Sequence, residues 1–134
     1  LAHLFTTVPG SSAYFMGSVV SYANQIKSDV LGVDEQLIND YGAVSEQVVE
    51  QMANHVRLKM NVDFALATSG VAGPDGGSEE KPVGTVWIAI ASKDGVYSKK
   101  YMFEKNRERN IHRASLAAIS LLRRALNGQL EIRS

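Results

Sequence analysis

Apolar residues recur at helical spacing in two long stretches of the chain. The first stretch follows Ser45, a residue type that caps helix N-termini. Its apolar positions are Val48, Val49, Met52, Val56, Leu58 and Met60. The second stretch is predicted from about Arg107 to Leu126, with Gly128 as its stop. Its apolar positions are Ile111, Ala114, Ala118, Leu121, Leu122 and Ala125. Both stretches are therefore expected to form helices that bury one face.

Shorter runs of β-branched, aromatic or uniformly apolar residues predict strands. The run from Tyr14 to Ala23 reads "YFMGSVVSYA" and predicts a strand, and "VDFALAT", ending at Thr68, predicts a second, covered on both faces. The runs "VGTVWIAIAS" and "GVYSKKYMF" flank Lys93, Asp94 and Gly95, which is a typical hairpin pattern.

Short helices fill the remaining segments. A helix tail in "LAHLFTT" stops before "VPGSS", Asn24 is expected to cap a helix in "QIKSDVLG", and Asp34 another that Gly42 ends. The alternation predicts an α/β fold class: one layered domain, residues 1–134, with a mixed sheet that includes an antiparallel hairpin and helices packed on the sheet.

Composition limits the classes of partner. Lys plus Arg and Asp plus Glu each number 14, so the chain has no net charge that would favour nucleic acid or an anionic membrane as its partner. Cysteine is absent, and no apolar run approaches the ~20 residues that span a bilayer, so we expect a soluble protein of the cytoplasm. His3, His55 and His112 lack metal-ligand spacing, and we expect neither a metal nor an organic cofactor.

The segment from Ser69 to Trp87, "SGVAGPDGGSEEKPVGTVW", concentrates glycine and proline directly after a predicted buried strand. Structureless loops of about 14 residues are uncommon in compact domains unless they are functional or disordered. Glycine lets backbone N–H groups approach an anion closely, and ligands often bind where a buried strand ends. A plain surface loop is the alternative interpretation.

Tyr22 and Lys27 form a second candidate site in "SYANQIK". If Asn24 caps the helix, Lys27 lies in its first turn, where the helix dipole disfavours the protonated amine and lowers its pKa. Such a lysine can act as a base, and Tyr22 can donate or relay a proton. The alternative is a solvated lysine beside a half-buried tyrosine.

A third cluster, "NRERNIHRAS", places Arg107, Arg109, His112 and Arg113 at the start of the last helix. Several cations at a helix N-terminus indicate either a bound anion or compensating carboxylates. Glu104 and Glu108 are available for a purely structural network, so both interpretations stay open.

Several of these segments together carry a family resemblance. The motifs "VPGSSAYF", "SVVSYANQIK", "YGAVSEQVVEQMA", "SGVAGPDGGSEEKPVGTVW" and "NRERNIHRASL" occur in this order. They closely resemble the C-terminal domain of the competence/damage-inducible protein CinA, the nicotinamide mononucleotide (NMN) deamidase family. The resemblance covers essentially the whole chain.

The resemblance implies an amidohydrolase that converts NMN and water to nicotinate mononucleotide and ammonia, without a cofactor and usually as a homodimer. In that family a serine nucleophile works with a tyrosine and a lysine, which Tyr22 and Lys27 match. The family's serine lies in an A-E-S-C-T-G-G motif just before a segment like "LAHLF", so we expect this motif upstream of Leu1.

Substrate contacts are expected from the glycine-rich segment and the arginine cluster. Arg107 and Arg113 match arginines of the family, whereas Arg109 stands where relatives often carry a small residue. The glycine-rich segment is expected to shape the nucleotide pocket with backbone groups, through Ser69, Gly70, Gly73, Gly76 and Gly77. The alternative function is a non-catalytic nucleotide-binding or interaction module linked to competence and DNA-damage responses.

Overall fold

A computed structural model describes residues 1–132 of the chain. Its helices are α1 (Ala2–Thr6), α2 (Asn24–Asp29), α3 (Glu35–Tyr41), α4 (Glu46–Met60) and α5 (Arg107–Leu126), with a 3₁₀ turn at Ser11–Ala13. Its strands are β1 (Phe64–Gly70), β2 (Thr85–Ser92) and β3 (Gly95–Met102). Within residues 1–132, none of the helices combines the length and apolar character needed to span a membrane.

The three strands form one sheet in the order β1-β2-β3. β2 pairs antiparallel with β3 through a tight turn that joins Ser92 to Gly95, which confirms the predicted hairpin. β1 also pairs antiparallel with β2. The α/β class with helices packed on a sheet is therefore confirmed, but the sheet of the described residues is antiparallel throughout and not mixed.

The central strand β2 is covered on both faces, which explains why its sequence is almost wholly apolar. Ala89 and Ala91 face a core formed with α4, where the predicted positions Val48, Val49 and Met52 are buried together with Ala53. Val86 and Ile88 face a second core, formed with Ala114, Ala118 and Leu121 of α5. Two predicted core positions, Leu58 and Ile111, are instead 59% and 50% exposed, because they lie at the borders of the apolar stripes. The sheet is thus a layer between two long helices.

The predicted strand from Tyr14 to Ala23 is wrong. After the 3₁₀ turn this segment has no regular secondary structure, and it is largely exposed, with Val20 82% and Tyr22 81% accessible. Strand preference depends on packing against neighbouring strands, and within residues 1–132 no strand pairs with this segment. A stack of Phe5 on Phe15, with ring centroids 5.2 Å apart, joins the start of the segment to α1.

Most helix ends follow the predicted capping residues. Asp34 accepts a hydrogen bond from Gln36 N at 2.9 Å, and Ser45 accepts one from Val48 N. Helix α5 has the predicted bounds, and Asn106 caps it by accepting from Arg109 N at 3.0 Å. The exception is α2, where Ala23 occupies the N-cap position without a side-chain bond and Asn24 is the first helical residue.

The core between α5 and the sheet provides a test of the packing. Leu121→Ala removes a side chain that is 1% exposed, so we expect the free energy of unfolding to fall by about 2–5 kcal/mol. Leu116→Ala, on the same helix but 48% exposed, is the matched control and is expected to change it by about 0.5 kcal/mol or less. Urea denaturation measures both, and equal losses would contradict this packing.

Candidate active site

A groove runs along the outer edge of β1, which has no partner strand within residues 1–132. It encloses about 1460 Å³, and we call it the β1 groove. Its walls include β1 (Phe64–Gly70), the irregular segment 13–22, the start of the chain at α1, and one face of α5 that begins at Arg107 and Asn110. This volume exceeds the ~300–1,000 Å³ of ordinary small-molecule pockets.

Lys27 lies on α2 with its side chain turned into the β1 groove. The residue is only 6% exposed, and its Nζ donates a hydrogen bond to Ser21 O at 2.6 Å. Burial lowers the pKa of Lys27 below its ordinary value, because a charged amine loses hydration there. The pKa of Lys27 was predicted to be lowered by the helix dipole, and in the structure burial lowers it. The alternative of a solvated lysine is wrong.

Arg107 connects two other predicted site elements. Its Nη1 donates to Gly73 O at 2.9 Å, and its Nη2 donates to Tyr22 Oη at 3.4 Å. The first bond joins α5 to the glycine-rich segment, and the second joins α5 to the irregular segment. Because the phenolic oxygen accepts the bond from Arg107, the hydroxyl proton of Tyr22 remains available for donation.

Arg109 and Arg113 form the structural network that the sequence left open. Both approach Glu104, at 3.5 Å from Arg109 and 3.3 Å from Arg113, and all three side chains are about half exposed or more. Neither arginine lines the β1 groove, whereas Arg107 does. The cluster is therefore divided between one groove residue and one surface ion-pair network.

The glycine-rich segment is anchored at several points. Ser69 and Gly70 belong to the end of β1, and Ser69 Oγ donates to Ala43 O at 2.8 Å. Gly70 is required by close packing, because a Cβ there would lie 2.7 Å from Val86 Cγ2 and 2.9 Å from Thr85 O. Farther along, Lys81 Nζ donates to Tyr41 O at the end of α3. The glycine-rich segment is thus a loop held in place by hydrogen bonds and close packing.

The structure brings together most of the predicted site residues. Tyr22, Lys27, Ser69, Gly70 and Arg107 all line the β1 groove, and Gly73 is tied to it through Arg107. Gly76, Gly77 and Arg113 do not line it, and their roles in binding stay predictions. In the described part of the chain, no three His, Asp or Glu side chains lie close enough to hold a metal ion.

Asn110 is a groove residue that the sequence reasoning missed. It is 2% exposed, and its Nδ2 donates to Ala72 O at 3.0 Å and to Glu104 O at 2.8 Å. Its Oδ1 accepts from Glu104 N at 3.0 Å. The sequence did contain one signal for Asn110: it is a polar residue on the otherwise apolar buried stripe of α5, one turn before Ala114.

The family model of the CinA C-terminal domain matches residues 1–126. The chain belongs to the CinA C-terminal domain family. It is 51% identical over 126 residues to a CinA-like protein of Cytophaga hutchinsonii and 53% identical over 125 residues to one of Shewanella amazonensis. These alignments cover 94% and 92% of the chain, but it spans only about 30% of the length of either relative.

Solved CinA-family structures share the fold. The competence/damage inducible protein CihA from Agrobacterium tumefaciens superposes with a TM-score of 0.90 at 36% identity, covering 94% of this chain and 77% of that one. The competence damage-inducible protein A (ComA) from Klebsiella pneumoniae gives a TM-score of 0.90 at 29% identity, with 94% and 78% covered.

Burial of Lys27 predicts a pH dependence of stability in this CinA C-terminal domain. Between the lowered folded pKa and the ordinary value of 10.5, the unfolded chain binds a proton at Lys27 that the folded protein does not. The free energy of unfolding therefore gains a contribution as pH rises through this window, and loses it as pH falls. Lys27→Met removes this contribution, and urea denaturation at several pH values measures it.

Lys93→Met is the matched control, because Lys93 is exposed in the β2–β3 turn. It is expected to keep the wild-type pH dependence. If Lys27→Met and Lys93→Met follow the same pH curve, the amine of Lys27 is not shifted by burial.

Proposed function

We propose that this domain carries the chemistry of a nicotinamide-nucleotide amidohydrolase, which converts NMN and water to nicotinate mononucleotide and ammonia. The observation that carries the proposal is the buried amine of Lys27, with its lowered pKa, in a groove that also holds Tyr22 and Arg107. A neutral amine is a base, and general-base catalysis requires a group whose pKa is tuned toward the working pH.

We further propose that the nucleophile is the serine of an A-E-S-C-T-G-G motif upstream of Leu1, as the family resemblance implies. The free outer edge of β1 and the large volume of the groove are compatible with an additional segment beside β1. Within the groove, the hydroxyl of Ser69 has a structural role, since its Oγ donates to Ala43 O.

In the proposed reaction, Lys27 takes the proton of the serine hydroxyl as its oxygen attacks the carboxamide carbon of NMN. Backbone N–H groups stabilise the resulting oxyanion. The carbon–nitrogen bond then breaks, and the leaving NH₂ group receives a proton through Tyr22 to become ammonia. Water hydrolyses the acyl-enzyme, which releases nicotinate mononucleotide and restores the serine hydroxyl.

We assign the 5′-phosphate of NMN to Arg107. A guanidinium offers five N–H donors in a planar fork, and the bonds to Gly73 O and Tyr22 Oη use two of them. The remaining donors and the positive charge suit a phosphate oxygen. Arg113 is the weaker candidate, because it faces Glu104 and not the groove.

The full-length protein is expected to release ammonia from NMN, and Lys27→Met is expected to lower kcat by about 10²–10⁴-fold, the usual contribution of a general base. Lys93→Met, which changes an exposed lysine in the hairpin turn, is expected to keep the wild-type rate. A coupled ammonia assay measures all three proteins.

Wild-type turnover in Lys27→Met would reject the role of Lys27. Binding of NMN without ammonia release by the wild-type protein would instead favour the non-catalytic nucleotide-binding module.

Arg107→Ala is expected to weaken binding of NMN about tenfold or more, because a hydrogen bond to a charged group is worth about 1.5–3 kcal/mol. Nicotinamide riboside lacks the phosphate, and its binding is expected to change much less. Arg109→Ala, in the same turn of α5 but paired with Glu104, is the matched control. Calorimetric titration measures the dissociation constants, and equal losses for both ligands would exclude a phosphate contact by Arg107.

A further inference from the structure

We propose that Asp75 and Gly76 form a modification site, at which aspartate converts spontaneously to isoaspartate through a cyclic succinimide, and that this change loosens the contact between Gly73 and Arg107. The chemical step is independent of the proposed function. Only the expected effect on NMN binding rests on that function.

The reaction requires an aspartate whose carboxyl group can reach the backbone nitrogen of the next residue. Glycine favours it, because glycine has no side chain to hinder the approach of its nitrogen. In the 134-residue sequence aspartate precedes glycine twice, at Asp75-Gly76 and at Asp94-Gly95. The two pairs have the same chemistry, so a difference between their rates comes from the fold.

The first pair lies at the exposed tip of the glycine-rich segment. Residues 74–77 are all exposed, and within residues 1–132 none of them makes a hydrogen bond or an ion pair. Exposed loop tips with few hydrogen bonds are the parts of a fold that change conformation most readily. The backbone of Asp75 can therefore rotate to bring its carboxyl group to the nitrogen of Gly76.

The fold restrains the second pair. Asp94 lies in the tight turn between β2 and β3, where its N–H donates to Ser92 Oγ at 3.1 Å and Gly95 pairs with Ser92. Ring closure at Asp94 therefore requires the end of the hairpin to open. One asparagine, Asn127, also precedes a glycine, but reaction there releases ammonia and adds a negative charge, so its product differs from that of an aspartate.

The atoms of the proposed step balance with water as the only co-reactant. The Gly76 nitrogen attacks the side-chain carbonyl carbon of Asp75, and a carbon–nitrogen bond forms. The amide proton and the carboxyl hydroxyl leave as water, which gives the five-membered succinimide. Water then opens the ring, at the side-chain carbonyl to restore aspartate or at the main-chain carbonyl to give isoaspartate. Mass and charge are unchanged, but the backbone now passes through Cβ and is one atom longer.

The added atom falls between two points at which the segment is held. On one side Gly73 O accepts a single hydrogen bond from Arg107 Nη1 at 2.9 Å. On the other side, Ser78 N donates to Lys81 O at 2.9 Å and Lys81 N donates to Ser78 Oγ at 3.0 Å. Because two bonds close the turn at Ser78, we expect the longer tip to displace Gly73 O, so that Arg107 loses one of the contacts that orient it.

The test follows isoaspartate in the full-length protein during incubation at neutral pH. Peptide mapping with electron-transfer fragmentation measures it separately at Asp75 and Asp94. We expect it to accumulate at Asp75 about fivefold or more faster, since opening the hairpin costs at least one hydrogen bond. In urea, where the hairpin is unfolded, the two positions are expected to react at similar rates.

Asp75→Glu keeps the charge at the tip but would need a six-membered ring, which closes far more slowly, so we expect no isomerisation at this position. Asp94→Glu makes the same change in the β2–β3 turn and is the matched control. It is expected to leave the rate at Asp75 unchanged.

The effect on the site is measured by calorimetric titration of incubated protein with NMN. We expect the isomerised fraction to bind up to about tenfold more weakly, the loss predicted for Arg107→Ala. Incubated Asp75→Glu is expected to keep its affinity. Treatment of the incubated wild-type protein with protein isoaspartyl methyltransferase and S-adenosylmethionine, which returns isoaspartate to aspartate, is expected to restore it.

Equal rates at Asp75 and Asp94 in the folded protein, or no isoaspartate at Asp75, would overturn the modification site. Isoaspartate at Asp75 with unchanged NMN affinity would overturn the link to Arg107. If fresh wild-type protein does not bind NMN, the proposed function is rejected, while the peptide map still decides the modification site.

Discussion

The hydrogen bond from Lys27 Nζ to Ser21 O organises the candidate site. The bond is 2.6 Å long and joins a buried amine to the backbone of the irregular segment 13–22. Within 1–132, the described ion pairs do not include Lys27, so the amine is buried beside a carbonyl dipole without a neutralising carboxylate. Burial without a counter-charge favours the neutral amine, and the neutral amine is the chemically useful form. The same bond places Tyr22, the next residue, within reach of Arg107.

The remainder of the fold supports this arrangement. α4 and α5 cover opposite faces of the sheet, and the groove forms along one of its edges, the outer edge of β1. The start of α5 holds the glycine-rich segment through Arg107 and Asn110, while Lys81 ties the far end of that segment to α3. The groove is therefore bounded by elements that are each fixed to the core, even where they are irregular.

The sequence predicted those elements of the fold that depend on residues close together in the chain. The caps at Asp34 and Ser45, the bounds of α5 and the β2–β3 hairpin depend on neighbouring residues and on burial of one face, and the sequence contains both. The strand predicted from Tyr14 to Ala23 depends on a partner strand, which residue preferences do not report. A mixed sheet was predicted, whereas the described strands are all antiparallel, because residue preferences also do not report which strands pair or in which direction.

The candidate site was predictable in its residue types but not in its contacts. Tyr22, Lys27 and Arg107 were identified from motif resemblance and charge, yet only the fold separates Arg107, which faces the groove, from Arg113, which faces Glu104. Asn110 was missed because its partners, Ala72 O and Glu104 O, are backbone atoms that any sequence supplies. A polar residue on the buried stripe of α5 indicates that Asn110 has hydrogen-bond partners, but residue type does not indicate which backbone carbonyls they are.

The central claim is that Lys27 is a buried amine whose neutral form is favoured by its surroundings. An NMR titration of the lysine ¹³Cε and ¹Hε signals measures this most directly, with the Lys27 signal assigned by its loss in a Lys27→Met variant. We expect Lys27 to titrate at a lower pH than the exposed lysines and below 10.5. A Lys27 signal that titrates together with those of the exposed lysines would contradict it.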